Sequence, residues 1–131
     1  MNNRSDIYYK SGIKLLSQHL YSQSIACFYY SVLQKMLYSL TVSSIRPKAY
    51  VDQNPLDEDI HKRTLEDINL RLNKQKDIEK MNSLFRDRML PLRKKADYEP
   101  VICSLEECVE CREWCESLRR LLDEQFRPII I

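Results

Sequence analysis

The chain has a single glycine among its 131 residues, where average usage predicts roughly nine. This scarcity argues against the glycine-rich loops of dinucleotide-binding folds and P-loop NTPases, and it leaves almost no primed hairpin turns. The length suffices for one domain with one continuous hydrophobic core. We therefore expect a single domain, residues 1–131, built from helices.

Long hydrophobic runs and a dominant charge sign are also missing. Lys and Arg total 21 against 19 Asp and Glu, a net charge of +2, so bulk charge does not demand a nucleic-acid partner. No apolar run approaches the length that spans a bilayer, and the polar N-terminus lacks a signal-peptide core. The sequence predicts a cytoplasmic protein with no membrane segment.

Cysteine is present five times, and an odd number without a secretion signal indicates reduced thiols. The spacing of four of them is superficially similar to that of metal ligands. Zinc ligands usually come in pairs from turns, however, and here the thiols continue the apolar stripe of one helix. We expect core thiols, with no metal and no other cofactor. The four cysteines are Cys103, Cys108, Cys111 and Cys115.

Apolar residues recur at helical spacing along most of the chain. The second stretch carries the widest stripe and is expected to be central, and a proline-containing segment over about 43–55 is expected to be the longest loop. The fold class predicted is all-α, an antiparallel up-down bundle of four long helices plus a shorter fifth. The predicted helices cover about 5–19, about 22–41, a stretch starting near 56–59, about 77–97, and a last stretch from Ser104.

Three local signals refine this prediction. Gly12 lies inside the first helix, where it costs about 1 kcal/mol relative to Ala, so a close helix crossing is expected there. Pro91 interrupts the fourth helix and predicts a kink near residues 87–90. Ser104 followed by Glu107 predicts a capping box at the start of the last helix.

Residues 86–95 form a basic cluster, with five cationic residues and a single acidic one, Asp87. The last helix, in contrast, is mainly acidic. One interpretation is that the two helices are antiparallel neighbours with complementary solvated faces. The other is a phosphate-binding surface for RNA or a nucleotide. The cationic residues are Arg86, Arg88, Arg93, Lys94 and Lys95.

Two segments carry a family resemblance. Residues 20–37 read LYSQSIACFYYSVLQKML, and residues 92–98 read LRKKADY before a long last helix. Together they resemble the HEPN (higher eukaryotes and prokaryotes nucleotide-binding) domain family, over about residues 7–126. The resemblance implies an up-down helical bundle, a homodimer, and a minimal nucleotidyltransferase as partner in a toxin–antitoxin-like system.

Other members of that family cleave RNA with an Arg-x4-6-His motif, in which the imidazole moves a proton and the guanidinium stabilises phosphorane charge. This chain lacks the motif. No Arg precedes His19 or His61 at the required spacing, and Tyr98 occupies the position where a His would follow Arg93. Neither histidine has the neighbours of a catalytic triad, so we expect structural roles for both.

Because the chain resembles the HEPN family but lacks the Arg-x4-6-His motif, we expect a non-catalytic module. This module would bind the phosphate of a nucleotide or RNA, or dock a nucleotidyltransferase. The alternatives are an RNA-cleaving enzyme that uses Arg93 with a partner other than His, and a purely structural interaction bundle. Arg93 and Asp97 are four residues apart and are expected to pair along the helix. The candidate ligand or motif residues are Arg86, Arg88, Arg93, Lys94, Lys95, Asp97 and Tyr98.

Overall fold

The computed structural model describes residues 3–43, 58–98 and 103–126, and across these ranges the chain forms five helices and no strand. The all-α prediction is therefore confirmed. The loop expected after Ser43 lies outside the described residues. The helices are α1 (Asn3–Ser17), α2 (Tyr21–Ser43), α3 (Glu58–Arg71), a fourth helix in three parts, and α6 (Leu105–Gln125). The three parts are α4 (Gln75–Met81), the π-helical segment π1 (Asn82–Met89) and α5 (Leu90–Tyr98).

Buried serines fix the direction of α1 against α2. The hydroxyl of Ser5 donates to the carbonyl of Ser31 at 2.7 Å, and the hydroxyl of Ser24 donates to the carbonyl of Gly12 at 2.6 Å. The beginning of α1 thus contacts the middle of α2, and the end of α1 contacts the beginning of α2, so the two helices are antiparallel.

No helix in the described part of the chain is long and apolar enough to cross a membrane.

The fourth helix runs antiparallel to α6. Lys95 pairs with Glu107 at 2.8 Å, and the guanidinium of Arg88 lies 5.8 Å from the ring centre of Trp114. These contacts, like those of α1 with α2, are typical of an up-down bundle, and the predicted architecture is confirmed.

Helix α2 is central, as its wide apolar stripe predicts. Its inward side chains have no exposed surface, and they pack with the apolar faces of α3, the fourth helix and α6 in one core. The fully buried residues of α2 in this core are Ile25, Phe28, Tyr29, Val32, Leu33, Met36, Leu37 and Leu40.

Gly12 marks the close crossing of α1 and α2 that the sequence predicts. A Cβ atom at this position would lie 2.6 Å from Cε1 of Phe28, well inside van der Waals contact. The absence of a side chain is therefore what lets the ring of Phe28 rest on the α1 backbone.

Helix α1 ends at Ser17, two residues before the predicted end at His19. His19 has a positive φ of 61°. Its N–H donates to the carbonyl of Leu16 at 3.1 Å, and the N–H of Leu20 donates to that of Leu15 at 2.9 Å. This pattern is a Schellman motif with His19 in the left-handed position that glycine usually takes.

The disturbance expected from Pro91 consists of eight residues of π-helix, Asn82–Met89. The N–H of Leu90 donates to the carbonyl of Phe85, five residues back rather than four. Proline has no N–H and clashes with the carbonyl of the residue four positions earlier, so a widened turn before Pro91 accommodates it. A π-helical segment thus precedes Pro91, and the kink expected near residues 87–90 stays a prediction.

The predicted capping box at α6 is present. The hydroxyl of Ser104 accepts from the N–H of Glu107 at 3.1 Å, and the carboxylate of Glu107 accepts from the N–H of Ser104 at 2.9 Å. The first turn of α6, which lies beside Lys95, is thereby fixed.

Candidate functional site

A cavity of about 570 Å³ opens between α3 and the fourth helix, with Tyr29 of α2 in its wall. Its volume falls within the range of small-molecule sites, roughly 300–1,000 Å³. Its lining mixes aromatic, aliphatic, amide and cationic side chains. The lining residues are Tyr29, His61, Lys62, Leu65, Glu66, Asn69, Asn82, Phe85, Arg86, Leu90 and Lys94.

Helix α3 supplies one side of the cavity from two adjacent stripes of its surface. His61 and Leu65 are four residues apart on the inner face of α3, and both are buried. Lys62, Glu66 and Asn69 follow at spacings of four and three residues on the neighbouring stripe, so they share a side of the helix. The cavity therefore has an apolar inner part and a polar rim.

The π-helical geometry aligns the residues that the fourth helix supplies. Asn82, Arg86, Leu90 and Lys94 are each four residues apart, and all four line the cavity. In an α-helix a step of four residues overshoots one full turn by about 40°, so such a row would drift around the axis. In the wider turns of π1 a four-residue step falls short of a full turn, which offsets the overshoot of the step from Leu90 to Lys94 in α5.

An amide pair joins the two helices at one end of the cavity. Nδ2 of Asn69 donates to Oδ1 of Asn82 at 2.8 Å. Oδ1 of Asn69 is buried and accepts no hydrogen bond within the described structure. A buried acceptor without a donor is unfavourable in a folded protein and often marks a functional position.

Arg93 is buried, with 1% of its surface exposed, although the sequence places it in a basic cluster. Its Nη1 donates to the hydroxyl of Tyr30 at 3.0 Å, and its guanidinium carbon lies 5.1 Å from the ring centre of Tyr29. Burial lowers the pKa of Arg93, but the two tyrosines and Asp97 outweigh this effect and leave the pKa raised. The charge is thus kept inside the bundle by aromatic rings and a carboxylate.

The predicted pairing of Arg93 with Asp97 is confirmed, with Nη1 and Oδ2 3.6 Å apart. This contact and the tyrosine contacts favour a structural role for Arg93, because they connect α5 to α2. Tyr98 is the last residue of α5, and its side chain lies outside what the structure describes.

The other cationic candidates separate into two groups. Lys95 pairs with Glu107, and Arg88 lies over Trp114, as expected for antiparallel neighbours with complementary faces. Arg86 and Lys94 are exposed and line the cavity, where Arg86 also pairs with Asp87 at 2.7 Å. The basic cluster is thus divided between helix packing and the cavity rim.

The fold brings His61 and Arg93 to the same tyrosine, which the sequence does not indicate. No His follows Arg93 at motif spacing, but Nδ1 of His61 shares a 2.9 Å hydrogen bond with the hydroxyl of Tyr29, whose ring lies under Arg93. An imidazole and a guanidinium therefore contact the same tyrosine. Arg93 is not among the described residues that line the cavity, whereas His61 is.

The cysteines of α6 are in the core, as predicted. Burial raises the pKa of Cys108, raises that of Cys115 to about 12, and raises that of Cys111 well above its ordinary value. These thiols remain protonated near neutral pH. Across residues 3–43, 58–98 and 103–126, no three His, Cys, Asp or Glu side chains are grouped to hold a metal ion.

Comparisons of the chain with protein-family models, with curated proteins and with solved structures find no match. Sequence reasoning missed most of the α3 side of the cavity. The spacing of Lys62, Glu66 and Asn69 was a visible signal, but a polar stripe on a helix usually faces solvent.

Proposed function

We propose that this chain is a non-catalytic helical module that binds the phosphate group of a nucleotide in the cavity between α3 and the fourth helix. The observation that carries the proposal is the convergence of three cationic side chains on one cavity, with Lys62 from α3 and Arg86 and Lys94 from the fourth helix. Glu66 is the only carboxylate among the described lining residues.

The cations and the inner wall suit the two parts of such a ligand. Lys62, Arg86 and Lys94 are exposed at the rim, where they can approach phosphate oxygens without the cost of burying a charge. Leu65 and Phe85 are buried and offer an apolar surface to a base or a sugar. The family resemblance, which covers nucleotide-binding helical domains, points in the same direction.

Calorimetric titration at low salt tests this function. The wild-type protein is titrated with AMP, GMP, CMP and UMP, and then with a short single-stranded RNA. The double variant Lys62→Gln/Lys94→Gln is compared with Lys76→Gln, which removes an exposed charge from α4 outside the cavity.

We expect at least one nucleotide to bind, the double variant to bind it at least tenfold more weakly, and the control to bind it normally. Added salt should weaken binding because the cations are exposed. Absence of binding to every mononucleotide contradicts the proposal, as does an equal loss in the control. Binding of RNA alone indicates a surface groove rather than a nucleotide cavity.

RNA cleavage is a second candidate, and the position of His61 favours it. The imidazole lines the cavity next to Lys62, so a proton-transfer group and a cation for phosphate charge face the same space. An RNA oligonucleotide and its DNA counterpart should be incubated with wild-type protein and with His61→Gln and Arg93→Ala. If the wild-type protein cleaves the RNA but not the DNA, and His61→Gln does not cleave the RNA, the result supports RNA cleavage as the function. If the RNA stays intact in all samples, this second candidate is rejected.

The resemblance also implies a homodimer and a nucleotidyltransferase partner, and both stay predictions. Light scattering on the purified chain measures the oligomeric state. Co-purification with a minimal nucleotidyltransferase encoded beside it tests the partner, and a monomer that captures no such enzyme contradicts both.

A further inference from the structure

The cavity has two chemically different ends. Because Asn69 contacts Asn82 while His61 and Arg93 both contact Tyr29, α3 and the fourth helix run antiparallel along the cavity. The amide pair is therefore at one end, and Lys62 and Lys94 are at the other. Arg86 and Glu66 lie between the two ends, about one turn from the amide pair. On α3 the span from His61 to Asn69 is two turns, about 12 Å at 1.5 Å per residue.

The amide pair leaves one acceptor and one set of donors uncommitted. Its internal hydrogen bond uses Nδ2 of Asn69 and Oδ1 of Asn82. Oδ1 of Asn69 has no donor, and no described residue accepts from Nδ2 of Asn82. Exchanging O and N in both amides still leaves one donor group and one acceptor, so the conclusion does not depend on how the amides are assigned.

We infer that Asn69 and Asn82 bind the base of a nucleoside monophosphate, whose phosphate lies at the opposite end beside Lys62 and Lys94. This inference rests on the proposed function and gives it an orientation. A nucleobase edge carries an N–H donor next to an acceptor, which complements the two groups that the amide pair offers. The terminal torsion of an Asn side chain is soft, so a small rotation brings the buried Oδ1 of Asn69 to the ligand.

The alternative is that the cavity binds phosphate alone and the amide pair only joins two helices. The two cases differ in what the base contributes to affinity. Ribose 5-phosphate keeps the sugar and the phosphate and lacks the base, so it serves as the reference ligand for the four nucleoside monophosphates.

The test is a titration of the wild-type protein with the four nucleoside monophosphates and ribose 5-phosphate. It is repeated with Asn69→Ala and with Asn82→Ala, so that one variant remains if the other does not fold. Asn73→Ala is the matched control, because Asn73 is exposed just after α3 and outside the cavity.

We expect one nucleotide to bind at least tenfold more tightly than ribose 5-phosphate, since one lost hydrogen bond in a closed site costs about this factor. Both amide variants should remove this advantage and keep the weak binding of ribose 5-phosphate, and Asn73→Ala should change neither. Undetectable ribose 5-phosphate binding beside measurable nucleotide binding also shows that the base contributes.

Equal binding of nucleotides and ribose 5-phosphate overturns the inference and leaves the proposed function standing. The inference is also overturned, and the proposed function also stands, if Asn69→Ala and Asn82→Ala still bind the nucleotide more tightly than ribose 5-phosphate. Absence of binding for every ligand, including the nucleotides, rejects the proposed function itself and the inference with it.

Discussion

The hydroxyl of Tyr29 lies 2.9 Å from Nδ1 of His61, and both residues are buried. This hydrogen bond joins the central helix α2 to α3. The ring of Tyr29 also stacks on Phe85, with ring centres 4.8 Å apart. One tyrosine thus holds both walls of the cavity.

Tyr29→Phe should therefore destabilise the protein by about 1–2 kcal/mol, because it removes the hydroxyl and leaves a buried imidazole nitrogen without this partner. Tyr21→Phe is the matched control, since the Tyr21 hydroxyl makes a hydrogen bond of the same 2.9 Å length to His19 at the surface. We expect the control to change stability by less than about 0.5 kcal/mol. Urea unfolding measures the free energy of unfolding of both variants. Equal losses in the two variants would contradict the prediction that the buried Tyr29 hydrogen bond contributes more to stability than the exposed one of Tyr21.

Arg93→Lys separates the structural role of Arg93 from a ligand role. Lysine keeps the charge but loses the planar group that contacts two tyrosines and Asp97, so a loss of roughly 1.5–3 kcal/mol is expected. Lys94→Gln, at the next position, should leave stability within about 0.5 kcal/mol and weaken nucleotide binding. A stable Arg93→Lys variant that no longer binds nucleotide would instead make the guanidinium a ligand.

Gly12→Ala tests the crossing of α1 and α2. The new methyl group would meet the ring of Phe28 at 2.6 Å, and such overpacking costs roughly 1–3 kcal/mol against a helix-propensity gain of about 1 kcal/mol. We expect a net loss of stability in thermal unfolding. Phe28→Leu should reduce the loss in a double-mutant cycle, and additive effects of the two substitutions would place the conflict elsewhere.

The Lys95 hydrogen bond, together with that from Ser104, lowers the pKa of Glu107 below its ordinary 4.5. A lowered pKa in the folded state means that Glu107 stabilises the protein above its ordinary pKa, and this contribution is lost as the pH falls through the folded value. Glu107→Gln should thus be less stable than wild type near neutral pH, with a difference that shrinks below pH 4.5. Urea unfolding at several pH values measures this difference, and a difference that stays constant from neutral pH down to about pH 3 would contradict the role of Glu107.

Much of the fold could be predicted from the sequence because it depends on local pattern. The apolar period of α2, the single glycine of α1 and the Ser104–Glu107 spacing each specify one packing or capping arrangement. Pro91 located the change in the fourth helix. Its form as eight π-helical residues depends on how the flanking turns pack, which no local signal records.

The site is less predictable from the sequence, because a charged side chain normally indicates an exposed position. Arg93 is covered by Tyr29 and Tyr30. Tyr30 precedes Arg93 by 63 residues, so only the folded bundle brings these side chains together. The cavity depends in the same way on the approach of α3 to the fourth helix. Sequence spacing correctly excluded a local Arg–His motif and could not show that His61 meets the same tyrosine as Arg93.

Nucleotide binding in the cavity that His61 lines can be tested directly, because this chain has only two histidines. In proton–nitrogen correlation spectra of imidazole-labelled protein, added nucleoside monophosphate should shift the ring signals of His61. Those of His19, exposed in the turn between α1 and α2, should stay unchanged. Shifts confined to His19, or none at saturating nucleotide, would contradict the account.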